Sequence, residues 1–189
     1  MKISENGINM IKEFEGLRLE AYKPLQSEQY YTIGYGHYGK DVKRGMRINT
    51  EVAERYLKED LEIYEANVNK YNKYKWNQNE FDALVSFAYN IGSIDQLTNN
   101  GKRTKKEIAE KILLYVKAGG RILDGLKKRR KKEHDLFVSK AYYENNISQV
   151  VKDVIQGKYG NGEERRIKLA ASGYDYNEVQ RIVNEELRK

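Results

Sequence analysis

Between Glu13 and Gly39 the chain changes its apolar period, and that change limits what it can fold into. Upstream, Ile8, Ile11 and Phe14 recur every three residues behind Ser4, whose side chain can cap a helix. A first helix with one apolar face is therefore predicted to end near Glu15, so that a carboxylate sits where the chain leaves the helix and can face a cleft. Downstream, Leu17, Leu19 and Ala21 alternate with polar residues, and Tyr31, Ile33 and Tyr35 alternate with Tyr30, Thr32 and Gly34. Two short runs of period two predict a small antiparallel hairpin, with Thr32 pointing away from the Ile33 face. Gly34, Gly36 and Gly39 read as turn residues. His37 reads as a hydrogen-bonded structural histidine, because the chain has no Cys and only His134 besides it to build a metal site.

The whole chain sets outer limits. Its 189 residues allow one domain of ordinary size plus a small module. Without cysteine there are no disulfides. The amino terminus lacks the apolar run of a secretory signal, and no stretch is long and apolar enough to span a membrane. A protein made in the cytoplasm, without membrane insertion, is expected. A net charge of +7 implies attraction to a polyanion, which charge alone leaves as nucleic acid or an anionic cell wall.

Beyond the hairpin the pattern is helical. Thr50 is expected to cap a long helix carrying Ala53, Tyr56, Leu57, Leu61, Tyr64, Val68 and Tyr71 on one face. The aromatic and basic residues up to Trp76 read as a helix end packing inward, with a nucleic-acid patch as the other reading. Asn77 and Glu80 form a capping pair before Phe81, Leu84, Val85, Ala88 and Ile91, which are spaced for a buried helix. Residues 93–103 read as a loop. Thr104 and Glu107 cap a helix with Ile108, Ile112, Tyr115 and Val116 that Gly119 and Gly120 should stop. Six basic residues run from Lys127 to Lys132; Arg129 and Arg130 among them read as a solvated helix face or as a steering charge. Residues 141–147 read as a polar linker. After it, Val150, Val151, Val154 and Ile155, then Ile167, Ala170 and Ala171 ended by Gly173, then Val179, Ile182, Val183 and Leu187 behind Asp175 and Glu178 predict a three-helix miniature.

Phe14-Glu15-Gly16, Leu17-Arg18-Leu19, Ala21-Tyr22 and Thr32-Ile33-Gly34-Tyr35-Gly36-His37 together resemble the amino-terminal signature of phage-type lysozymes, glycoside hydrolase family 24. The strings from Gln78 to Gly92 and from Lys117 to Arg130, with Glu133 and Leu136-Phe137, are similar to that family's central helix and carboxy-terminal signature. The resemblance implies that Glu15 is the general acid, with a raised pKa, and that Thr32 helps to hold the attacking water. The family's aspartate has no counterpart: its spacing falls on Pro24 counted from Glu15 and on Gln26 counted back from Thr32. Glu28 is the only carboxylate in that turn. Inverting hydrolysis normally pairs the acid with a carboxylate roughly 6.5–9.5 Å away. Glu28 is thus either that base or a solvated turn residue, in which case Thr32 and Gln26 would orient the water.

The tail resembles the cell-wall-binding CW-7 repeat through Val154 to Gly162, Arg165 to Leu169, Ala171 to Tyr176 and Val179-Gln180 with Val183-Asn184. Lys158, Tyr159, Asn161, Arg165, Tyr174 and Asp175 are the candidate peptidoglycan-binding residues, against the alternative that the loop only joins helices and Tyr174 only packs. The expectation is α+β and mostly helical: a two-lobed lysozyme-like domain with a small β-hairpin lobe over 1–140, a linker over 141–147, and a three-helix module over 148–189. The resemblance implies a monomer that cuts the β-1,4 bond between N-acetylmuramic acid and N-acetylglucosamine of bacterial peptidoglycan. It would act at the wall after release or lysis, with no metal and no cofactor. The rivals are a non-catalytic wall-binding protein, suggested by the missing aspartate, and a nucleic-acid binder.

Overall fold

Ser4 opens the first helix and Gly16 closes it. The Ser4 hydroxyl oxygen accepts from the Gly7 N–H at 3.3 Å, starting α1 (Glu5–Glu15). Gly16, at φ 69°, ends it with its N–H on the Lys12 carbonyl at 3.0 Å. Few side chains tolerate that left-handed backbone, so Glu15 is the last helical residue. A computed structural model describes the chain apart from Gln26, Gly173 and Lys189, with residues 140–146 and Ala171 described by their backbone alone.

Three short strands follow, β1 (Arg18–Tyr22), β2 (Tyr31–Gly34) and β3 (His37–Gly39), antiparallel in that order. The expected hairpin gains a third strand, in which Thr32 pairs with Tyr38 and Ile33 with His37. Ile33 and Thr32 are both buried, but Leu17 and Leu19 are exposed, so the alternation in β1 marks no core face. So small a sheet has no core of its own; β2 has the more contacts with the long helix α2 (Thr50–Asn69). That helix is capped by Asn49, not Thr50: the Asn49 Oδ1 accepts from the Val52 N–H at 2.9 Å.

The central helix α3 (Gln78–Ile91) starts with the predicted capping box and buries Phe81, Leu84, Val85 and Ala88, whereas Ile91 is exposed at its end. Residues 93–103 contain a short helix, α4 (Asp95–Thr98). The Thr104–Glu107 box opens α5 (Lys105–Ile112), which stops before Tyr115 and Val116. Gly119 and Gly120 do not end a helix. At φ 55° and 76° they turn a hairpin between β4 (Lys117–Ala118) and β5 (Arg121–Ile122), as paired positive φ values favour. α6 (Asp124–Val138) then packs against α3. Ile8, Ile11, Leu57, Leu61, Leu84, Phe87, Ile108, Ile112 and Leu136 share one apolar core.

The predicted linker is itself helical, within α7 (Lys140–Ile155). Its polarity hid it, because the apolar spacing resumes only at Ile147 and Val150. α8 (Gly162–Ala171) and α9 (Tyr176–Glu186) complete the tail. Val150, Val151, Val154, Leu169, Tyr174, Val179 and Val183 form a second core, separate from the first. The expected helix stop at Gly173 lies outside the described residues. Among the described residues no helix is long and apolar enough to cross a membrane.

Candidate active site

The end of α1 brings Glu15 to a cleft of about 480 Å³. Gly36 from the β2–β3 turn, Tyr38 from β3, Asp60, Ile63 and Tyr64 from α2, and Tyr89 and Asn90 from the end of α3 line the rest. The close approach of Gly36 matters: a β-carbon there would meet the Tyr89 hydroxyl at 3.2 Å and the Glu15 Oε2 at 4.0 Å. Tyr89 donates to the Tyr35 carbonyl at 2.9 Å. Burial, helped by the nearby Glu15 and Asp60 charges, pushes its hydroxyl pKa up, so it stays a donor.

Behind the cleft Glu15 is paired with a buried base, Arg129. The Glu15 Oε1 accepts from the Arg129 Nη1 at 2.6 Å. Arg129 is 4% exposed; its Nε reaches the Glu133 Oε1 at 3.0 Å and its Nη2 the Ser86 carbonyl at 3.0 Å. Glu133, fully buried, also accepts from the Ser86 hydroxyl at 2.7 Å and pairs with the Arg130 Nε at 3.2 Å. Burial pushes the Glu133 carboxyl up against the pull of Arg130 and Arg129. The guanidinium facing Glu15 therefore shares its charge with a second carboxylate. Arg129 and Arg130 are neither a solvated face nor a steering charge, because the helix turns them into the domain. Most of the remaining run is paired as well: Lys127 with Asp124 at 3.0 Å, Lys131 with Asp135 at 2.6 Å, and Lys132 with Glu13. With its two central arginines buried, the run is not a continuous basic stripe for phosphates.

Thr32 and Glu28 are not among the cleft-lining residues. Thr32 is buried in β2 directly opposite Tyr38, so the two share a sheet face, and Tyr38 lines the cleft. Glu28 lies in the β1–β2 turn, with its backbone carbonyl accepting from Lys23 at 2.7 Å and its Oε2 buried without a hydrogen-bond partner. Gln26, the third candidate there, lies outside the described residues. The carboxylate that does share the cleft with Glu15 is Asp60, which the sequence reading missed. Its placement eleven residues into a helix whose start carries no motif left nothing to flag it.

Asp60 is engaged: both of its oxygens lie 2.9 Å from the His37 Nδ1, while the His37 Nε2 is 2.9 Å from the Asp41 Oδ2. The ring also stacks on Tyr56 at 4.3 Å. Burial pushes the Asp60 carboxyl up, with the bond to His37 opposing. Burial alone would lower the His37 pKa, but the Asp41 and Asp60 carboxylates outweigh it and raise it above 6.5. A raised folded-state pKa gives stability that is fully present below the unfolded value and lost as pH rises through the folded one. The melting temperature should therefore fall as pH climbs above about 6.5, and the fall should be shallower in a His37→Asn variant. Parallel thermal melts from pH 5 to 9 check this; superimposable slopes would remove the imidazolium from the account.

In the tail, Lys158 is exposed and pairs with Asp153 at 2.7 Å. Arg165 spans the loop and α9: Nε to the Gly160 carbonyl at 3.1 Å, Nη2 to the Asn161 Oδ1 at 3.0 Å, Nη1 to the Gln180 Oε1 at 2.8 Å. Tyr174 packs in the second core with Tyr159 against it, and Asp175 caps α9 through the Glu178 N–H at 2.8 Å. Each of these candidates thus has a structural task. Among the described residues no group of three or more His, Cys, Asp and Glu side chains is arranged to hold a metal ion.

A two-lobed, mostly helical domain with an acid at the mouth of an interlobe cleft defines the lysozyme class. The family described as phage lysozyme matches residues 12–133, and the CW_7 repeat matches residues 148–187. The endolysin of Bacillus phage B103 is 46% identical over 146 residues, covering 74% of this chain and 55% of that protein. The endolysin of Salmonella phage P22 is 38% identical over 148 residues, covering 74% of this chain and 99% of that one. Among solved structures, an endolysin from Escherichia coli O157:H7 phage FAHEc1 superposes with a TM-score of 0.63 at 40% identity, over 75% of this chain and 96% of that chain. This chain belongs to the phage lysozyme family. It spans just over half the length of the Bacillus phage endolysins it matches.

Proposed function

We propose that this protein is an endolysin that hydrolyses the β-1,4 bond between N-acetylmuramic acid and N-acetylglucosamine in peptidoglycan. Glu15 is the general acid, and the observation that carries the reading is its position in the cleft. The helix ends on it, Gly16 turns the chain away, and a buried guanidinium fixes one carboxyl oxygen. Protonating the glycosidic oxygen lets the sugar leave as the oxocarbenium-like charge develops. Water attacks from the other face with inversion, held by Thr32 and activated by Glu28. In support of Thr32, it shares a sheet face with cleft-lining Tyr38. The stretch 148–189 acts as a peptidoglycan-binding module. It raises the local concentration of the cleft on an insoluble polymer, an avidity effect that needs no added contact at the bond being cut.

The test is a digest of purified peptidoglycan, reduced with borohydride and analysed for which sugar carries the new end. Reduced N-acetylmuramic acid is expected. Reduced N-acetylglucosamine would assign the other glycosidic bond, and tight wall binding with no new reducing ends would favour the non-catalytic rival. In the same digest Glu28→Gln should slow the native rate by about 10²-fold or more if it is the base. A variant as fast as native protein would return Glu28 to the turn.

A further inference from the structure

We propose that Asn90 is a specificity-determining residue of the cleft, its side-chain amide donating to the acetamido carbonyl of an amino sugar. This rests on the hydrolase reading above. Asn90 is exposed near the end of α3 and lines the cleft with Glu15. Its Oδ1 accepts from the Arg130 Nη2 at 2.7 Å. A guanidinium carries only donors, so the amide atom turned towards it must be the oxygen. Arg130 cannot swing away: it is fully buried, paired with Glu133 and stacked over Phe87 at 4.6 Å. The usual freedom of an asparagine to exchange its two ends is thereby removed. Nδ2 becomes the fixed outward branch of a planar group, and it makes no hydrogen bond to any described residue.

A donor held in one orientation selects its partner. Sugar hydroxyls both donate and accept, so either end of an amide would serve them. The acetamido carbonyl only accepts, and an acceptor facing the amide oxygen would be repelled. Binding a group that a site is built to hydrogen-bond also rejects the analogue lacking it, because the site's polar atom is then left unpaired.

The substitution that separates this from a structural role is Asn90→Asp. Aspartate is nearly the same shape and still accepts from Arg130, but has no N–H to offer the cleft. Native protein and the variant are compared on peptidoglycan and on the same polymer after N-deacetylation, with initial rates and melting temperatures measured for both proteins. The expected result is a roughly tenfold loss from the substitution on acetylated polymer. On the deacetylated polymer, already poorer for native protein, the substitution should add little, because donor and acceptor belong to one contact. If losses multiply, the effect is a general one, such as the added charge near Glu15, and the inference is overturned; equal rates on acetylated polymer overturn it too. Should Asn90→Asp fail to fold, Asn90→Ala enters the same cycle, since the acceptor lost to Arg130 changes both substrates alike. A native protein inert on acetylated polymer overturns the hydrolase reading and this inference together, whereas an active one with multiplying losses removes this inference alone.

Discussion

Glu15→Gln should lower glycan cleavage by about 10²–10⁴-fold, the range a positioned general acid contributes, while leaving the melting temperature close to that of native protein. Glutamine keeps the shape of the side chain and an oxygen that can accept from the Arg129 Nη1, so the 2.6 Å contact has a substitute. What it lacks is a proton to release onto the leaving oxygen. Glu15→Ala is the instructive comparison, since it strands a donor of a buried guanidinium and should destabilise as well as inactivate. Reducing-end release at fixed wall concentration, read beside a thermal melt, checks both statements. Glutamine at native speed would place the acid elsewhere, and the first residue to examine would be Asp60.

Glu133→Ala should destabilise the domain by about 3–5 kcal/mol. Glu133 lies between Arg129 and Arg130, with its side chain fully buried and the Ser86 hydroxyl as a third donor. Removing it leaves two guanidinium groups buried without their shared counter-charge, and removing one partner of a buried pair is the costly kind of change. Activity should fall with it, even under conditions where the variant remains folded, because Arg129 would lose the bond that aims its Nη1 at Glu15. Chemical denaturation gives the stability, and reducing-end release well below the melting temperature gives the activity. A variant with native stability would show that Ser86 and Asn90 hold the arginines without it.

The parts of this fold visible in the sequence are those set locally. The boxes at Asn77–Glu80 and Thr104–Glu107, the cap at Ser4 and the spacing of Phe81, Leu84, Val85 and Ala88 each use neighbours three or four residues apart, and each forms as read. What failed needed distant partners. Leu17 and Leu19 have an apolar alternation but both stay exposed, outside the core cluster. Arg129 and Arg130 sit in an unbroken basic run, which suggests a wet face; Glu15, Ser86, Glu133 and Asn90, gathered from two other helices and their own, make burying them possible. Asp60 entered the cleft unannounced for the same reason, since its partner His37 lies in a different element.

The bond between Glu15 and Arg129 joins residues 114 positions apart, one in the first helix and the other in the sixth. A ribosome still extending this domain therefore carries the acid without the group that orients it. On that account the pair that orients Glu15 cannot form during translation until α6 has been threaded out, and polypeptides cut short before Arg129 should be born inert although every residue lining the cleft is already present.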